Sequence, residues 1–240
     1  LERRSRVMLE HCSNRVKLAD VTNRPQRRAD ALSKERIVAA AIDILDTDGE
    51  KALTFRALGA RLATGSGAIY WHVANKNDLL AAATDDVVSR ALTGAVSTAE
   101  PRAAIRAIAL GVFDAIDAHP WMGAGLHRKP WTALLQILEG IGGHIRALDV
   151  PEEAQFVSAS TLVNYILGVA GQNAANARLF PRDVDRTAFL ATVTAQWTRH
   201  DASAYPFVHQ VAAQLRDHDD REQFLAGVDL LLAGIDSLRR

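Results

Sequence analysis

From residue 33 onward, apolar positions return at helical intervals. Ser33 suits an N-cap and is followed by Ile37, Val38, Ala41, Ile42 and Leu45, with Asp48-Gly49 as the stop. Thr54 starts a second, short segment with Leu58 and Leu62 on its inner side. Ala63-Thr64-Gly65 reads as a tight turn, and a third short segment from Ser66 sets Ile69 and Val73 on one side. Asn75 caps a fourth segment, with Asp78 three residues on in a capping-box arrangement. Its stripe is Leu79, Leu80, Ala83, Val87 and Leu92, and Gly94 is its expected end.

Five or six more helices are expected beyond that point: 101–119, 130–148, 151–176, 185–199, 206–215 and 220–238, with a short turn of helix at 121–126. Pro101, Pro130 and Pro151 stand at expected helix starts, where a missing N–H costs nothing. No stretch alternates as a strand would, and there is no repeat or low-complexity tract. The fold class is therefore all-α.

Two short helices joined by a tight turn containing Gly, with a supporting helix before them, have the layout of a helix-turn-helix. The second helix of such a unit enters a major groove, so its outward residues must be small or able to hydrogen-bond. Ser66, Gly67, Ala68, Tyr70, Trp71 and His72 meet that demand. Ile69 and Val73 already fill the inner face, so at least one of the two aromatics must point outward. Thr54 and Arg56 sit at the start of the helix before. The planar guanidinium of Arg56 suits guanine O6 and N7, and Lys76 suits a phosphate.

Charge changes the picture only through its distribution. The chain has 28 basic and 28 acidic residues. Residues 1–30 hold eight basic against four acidic, 31–80 hold six of each, and 81–240 hold 14 against 18. The excess lies in a basic arm, 1–31, where Arg24, Arg27 and Arg28 stand nearest the first helix and are expected to meet phosphates. The single Cys12 excludes a disulfide framework. No apolar run is long enough for a membrane span, and the basic start leads into no apolar core of a signal peptide, so a cytoplasmic protein is expected.

Other chemistry is thin. Gly65-Ser66-Gly67 is half of a nucleotide-binding fingerprint, but Tyr70 stands where the last Gly belongs and no strand precedes it. No Gly-x-Ser-x-Gly elbow occurs, so no enzyme is expected. The eight histidines form no i,i+4 pair on a helix, and although His119, His127 and His144 are free to converge in space, neither metal nor cofactor is expected. Trp121, Trp131, Asn164, Tyr165, Gln172 and Asn173 are the aromatic and polar residues that a small-molecule pocket would use. Phe224, Val228, Leu231, Leu232 and Ile235, broken by Gly227 and Gly234, form an apolar stripe that is expected, with the long helix at 157–174, to make a two-fold dimer.

The segment TFRALGARLATGSGAIYWHVANKNDLL, Thr54 to Leu80, resembles the DNA-binding segment of tetracycline-repressor (TetR) family regulators. The run Ala68-Ile69-Tyr70-Trp71-His72-Val73-Ala74-Asn75-Lys76 carries most of the likeness, which extends over 33–80, and residues 218–238 resemble the last helix of the tetracycline-repressor type of effector domain. The resemblance implies a helix-turn-helix DNA-binding domain at 32–80 and a helical ligand-binding and dimerisation domain at 81–240. It also implies a homodimer built on the long helix and the last one, double-stranded operator DNA as partner, and a small-molecule effector that releases it. A tetracycline–magnesium site would fall on Leu92, Ile108, Val112 and Leu126, all aliphatic, so tetracycline is not the expected effector.

Overall fold

The computed structural model describes residues 32–95, 100–126, 129–179, 185–216 and 219–239. The basic arm, Cys12 and His127 lie outside the described residues. Every regular element among those described is helical, and none of these helices is long and apolar enough to cross a membrane.

Helix α1 is Lys34–Asp48. Ser33 Oγ accepts from Arg36 N, and Gly49, at φ 78°, ends the helix in a conformation that side chains resist. Helix α2 is Phe55–Arg61, with Thr54 Oγ1 accepting from Ala57 N at 3.1 Å. Helix α3 is Ser66–Tyr70. In the turn between them Ala63, not Gly65, carries the positive φ (51°). Helix α4 is Lys76–Ala95 and runs through Gly94 rather than stopping at it. Its N-terminus is closed by Asn75 Oδ1 accepting from Asp78 N and by the amide of Asn75 donating to the Asp78 carboxylate, both at 2.9 Å. The expected box thus closes side chain to side chain.

The body follows. Helix α5 is Pro101–Ala118, with Glu100 accepting from the N–H groups of Arg102 and Ala103. Helix α6 is Met122–Gly125. Helix α7, Thr132–Ala147, starts two residues later than Pro130 suggests, after Trp131 at φ 63°. Helix α8 is Glu152–Leu179, α9 is Arg186–Trp197, α10 is Pro206–Arg216 and α11 is Asp220–Asp236.

Helix α5 is the axis of the body. It buries Ala104, Ile105, Ile108, Ala109, Val112, Phe113 and Ile116, a 3.6-residue period wide enough to meet α4, α7, α8 and α11 together. Ile108, Val112 and Leu126, where the tetracycline site would fall, are buried in this core. Against α5, α7 offers Ala133, Ile137, Ile141 and Ile145 in a narrow i,i+4 row. Helix α11 runs antiparallel to α5, and its register is marked by three ion pairs: Arg102 with Asp236, Arg106 with Asp229, and Asp114 with Arg221. All six side chains are partly exposed, so the pairs serve alignment more than stability. Helices α9 and α10 pack mainly on each other as a hairpin.

Candidate functional site

Two regions carry the chemistry. The first is the surface of α2, α3 and the start of α4. Ile69 and Val73 are buried, as their spacing predicts, and Leu58 packs with them. This keys α3 inward on one side and turns the other side out. Trp71 is 90% exposed and Tyr70 54%, far more than aromatic side chains tolerate without reason. Tyr70 is nonetheless held, because its ring stacks on Phe55 of α2 with centroids 4.2 Å apart and planes 5° from parallel. Phe55 was not legible as a site residue, since a lone aromatic at a helix start carries no period.

The glycines of this region divide by the space around them. A Cβ on Gly59 would lie 2.8 Å from the carbonyl oxygen of Thr64, so Gly59 lets α2 close onto the turn. A Cβ on Gly67 would meet nothing within 4 Å, so neither backbone nor packing within the chain requires Gly there. Arg56 and His72 are exposed, Ser66 and Ala68 half-buried, and Thr54 is occupied as the α2 cap. Lys76 is half-buried and donates from Nζ to the carbonyl of Glu50 at 2.6 Å, so its ammonium also ties α4 to the loop after α1.

The second region is a cavity of about 860 Å³ among α5, α8, α9, α10 and α11, within the range of small-molecule sites. Of the candidates read from the sequence, Tyr165, Gln172 and Asn173 line it. Three do not. Trp121 is buried and donates from Nε1 to Asp46 of α1. Trp131 lies over a narrow slit beside Ala81, Thr84 and Asp85. Asn164 is exposed on another face of α8, since residue 164 is rotated about 100° from Tyr165 on a helix. Phe113, Phe189, Trp197, Gln223 and Phe224 line the cavity and were missed as pocket residues, because they come from three helices far apart in sequence.

The dimer stripe needs a correction too. Phe224, Val228, Leu232 and Ile235 are buried within the chain, where α11 packs on α5 and α8. The face of α11 left exposed is Ala226, Leu230, Ala233 and Gly234, and Leu230 is 76% exposed. On α8 the matching outward positions are Val157, Thr161, Asn164 and Gly168. Gly227, which breaks that stripe, makes room for the phenol of Tyr165 within the chain.

Residues 37–83, covering α1 to the first turns of α4, match the family described as bacterial regulatory proteins, tetR family. A solved transcriptional regulator from Streptomyces coelicolor, itself a TetR, is 52% identical, with a TM-score of 0.81 over 88% of this chain and all of that one. This chain belongs to the TetR family. Two curated relatives are matched over part of their length. An HTH-type transcriptional regulator of Saccharopolyspora erythraea is 28% identical over 139 residues, 57% of this chain and 59% of the relative. The transcriptional repressor DrrR1 of Streptomyces coeruleorubidus is 28% identical over 174 residues, 70% of this chain and 62% of the relative. Helices α1 to α3, the head, lie in or overlap the matched segment, and α4 runs on from it to the body.

Proposed function

We propose that this TetR-family chain is a homodimeric repressor that reads double-stranded operator DNA through α3 and is released by a small-molecule effector bound in the body cavity. The reading unit is 32–80 and the effector and dimer unit 81–240, with α4 continuous across the boundary. One observation carries the proposal: α3 and the turn after it expose Tyr70, Trp71 and His72 beside the unfilled space at Gly67, while Ile69 and Val73 lock the other side to the core. A groove-reading helix needs that division, with small residues where the backbone must approach DNA and donors or flat rings around them. Arg56 reads bases, Thr54 and Ser66 line the approach, Ala68 makes apolar contact, and Lys76 meets a phosphate with the N–H groups its bond to Glu50 leaves over.

Two copies meet across the outward faces of α8 and α11, where Leu230 stands beside the small residues Ala233 and Gly234. A dimer is what sets two recognition helices at the spacing of successive major grooves. The effector acts by favouring a geometry in which that spacing is lost. No catalytic role is proposed, and the site of action is the cytoplasm, where the DNA is.

The test is selection of DNA fragments from a random pool by the purified full chain, followed by a compound screen for release. Enrichment of a two-fold symmetric sequence is the expected result. Binding with no sequence preference would overturn the reading.

A further inference from the structure

Helix α3 has five residues, and no side chain caps its start. So short a helix has no orientation of its own and takes one from what it leans on. Ile69 of α3 and Val73 just after it are buried, one turn apart. Two contacts in a row hold α3 to the core along a line, and they leave its roll about that line open. Helix α2 closes that freedom at both ends. At the start of α3, Thr64 N donates to the carbonyl of Gly59 at 2.9 Å, and the bare Cα of Gly59 lets the turn lie against α2. At the other end, the ring of Tyr70 lies on the ring of Phe55.

The two rings are not equivalent. Phe55 is the first residue of α2, beside the Thr54 cap, half-buried and packed on the core. Tyr70 is exposed. An exposed phenol left to itself samples several rotamers and gives them up when it meets DNA, which weakens binding. Centroids 4.2 Å apart and planes 5° from parallel put the two faces in contact, so Phe55 settles the tilt of Tyr70 before any DNA arrives. The side chain of Phe55 has no donor, acceptor or charge. It adds nothing to the attraction between cations and phosphates that binds DNA of any sequence. What it supplies is a fixed geometry at the end of the reading helix, which matters where side chains must meet particular base edges.

Building on the reading of α3 as the helix that enters the groove, we propose that Phe55 is a positioning residue that determines operator specificity: it fixes the plane of Tyr70 and, through it, the roll of α3 against the base edges.

Binding of the full chain to two duplexes tests this. One carries the sequence that the parent chain enriches from a random pool, and the other carries the same bases scrambled. Phe55→Leu keeps an apolar side chain on the core and removes the ring. It should weaken binding to the selected duplex about threefold to tenfold per half-site, and to the scrambled one less than about twofold. Phe55→Tyr, which keeps the ring, should bind both duplexes within about twofold of the parent. In a Tyr70→Ala chain, Phe55→Leu should add a loss of less than about twofold, because the ring it acts through is already gone. Circular dichroism checks that each variant is folded, and Phe55→Met replaces Phe55→Leu should that chain not fold. Full affinity of Phe55→Leu, an equal loss on both duplexes, binding by Phe55→Tyr as weak as by Phe55→Leu, or the same loss with and without Tyr70 would overturn the assignment while the regulator reading stands. A parent chain that enriches no sequence would overturn the regulator reading and this assignment with it.

Discussion

The indole Nε1–H of Trp121 donates to Oδ1 of Asp46 at 2.7 Å, joining the end of the first head helix to the start of α6 in the body. The same oxygen accepts from Nδ1 of His119 at 2.8 Å, so one carboxylate holds both residues that flank Pro120. This junction sits where α5, which lines the cavity through Phe113, ends against α1. Trp121→Phe keeps the ring and removes the donor. It should cost about 1–3 kcal/mol in a denaturant melt. It should also shrink the loss of operator affinity caused by an effector, while leaving the affinity of the effector itself little altered. An unchanged effector response in an operator competition assay would show that the junction carries no signal.

Gly59 and Gly67 should respond in opposite ways to the same substitution. Gly59→Ala places a methyl against the Thr64 carbonyl and should destabilise the head by about 1–3 kcal/mol. Gly67→Ala meets open space on a helix and should leave stability equal or raise it by up to about 1 kcal/mol, yet weaken DNA binding. Thermal melts beside a DNA titration separate the two. Loss of stability in Gly67→Ala would remove the argument that its space is kept for the groove.

Arg56 and Lys76 divide reading from positioning. Arg56→Ala should relax preference at one base position and cost about 1–3 kcal/mol per half-site. Lys76→Met should weaken all sequences alike and should also lower the melting temperature, because its ammonium holds the Glu50 carbonyl. A change of preferred sequence in the Lys76 variant alone would reverse the assignment.

Asp85 of α4 supplies a hydrogen-bond acceptor to the N-terminus of α7, where Ala133 N and the Thr132 side chain meet its carboxyl. Burial nevertheless dominates and raises its pKa above the ordinary aspartate value. The folded chain therefore binds that proton more tightly than the unfolded chain. The group's cost to stability appears as pH rises through the interval between the ordinary and the raised value, and it vanishes below that interval. Asp85→Asn keeps an acceptor oxygen and should flatten this part of the stability curve, melting no lower than the parent at neutral pH. A pH profile unaltered by the substitution would rule the group out.

Leu230→Arg should separate the dimer without unfolding the chain, since 76% of the side chain is exposed in the single chain. Light scattering at micromolar concentration, with circular dichroism as control, checks both halves of that statement. A persistent dimer would move the interface away from α11.

Neighbouring residues sufficed for the caps and most helix bounds, though not for the run of α4 through Gly94 or the later start of α7. Ser33, Thr54 and Asn75 each bind the N–H that their position predicts, and the inward residues Ile37, Leu58, Ile69 and Leu79 are buried. Caps and amphipathic stripes act within one or two turns, so they are written in neighbouring residues. The outward face of α3 was legible for the same reason: five residues cannot bury both sides, and Ile69 fixes which side goes in. The cavity was legible only along α8, through Tyr165, Gln172 and Asn173, because Phe113, Phe189 and Phe224 join them from helices separated by tens of residues. The face of α11 was misread because an apolar stripe says that something covers it, but not whether α5 and α8 or a second chain does. Trp121 could be read as a pocket residue until Asp46, 75 positions earlier, was found on its indole N–H. Periodicity specifies which residues must leave water. Only the packing of whole helices decides what they leave it for.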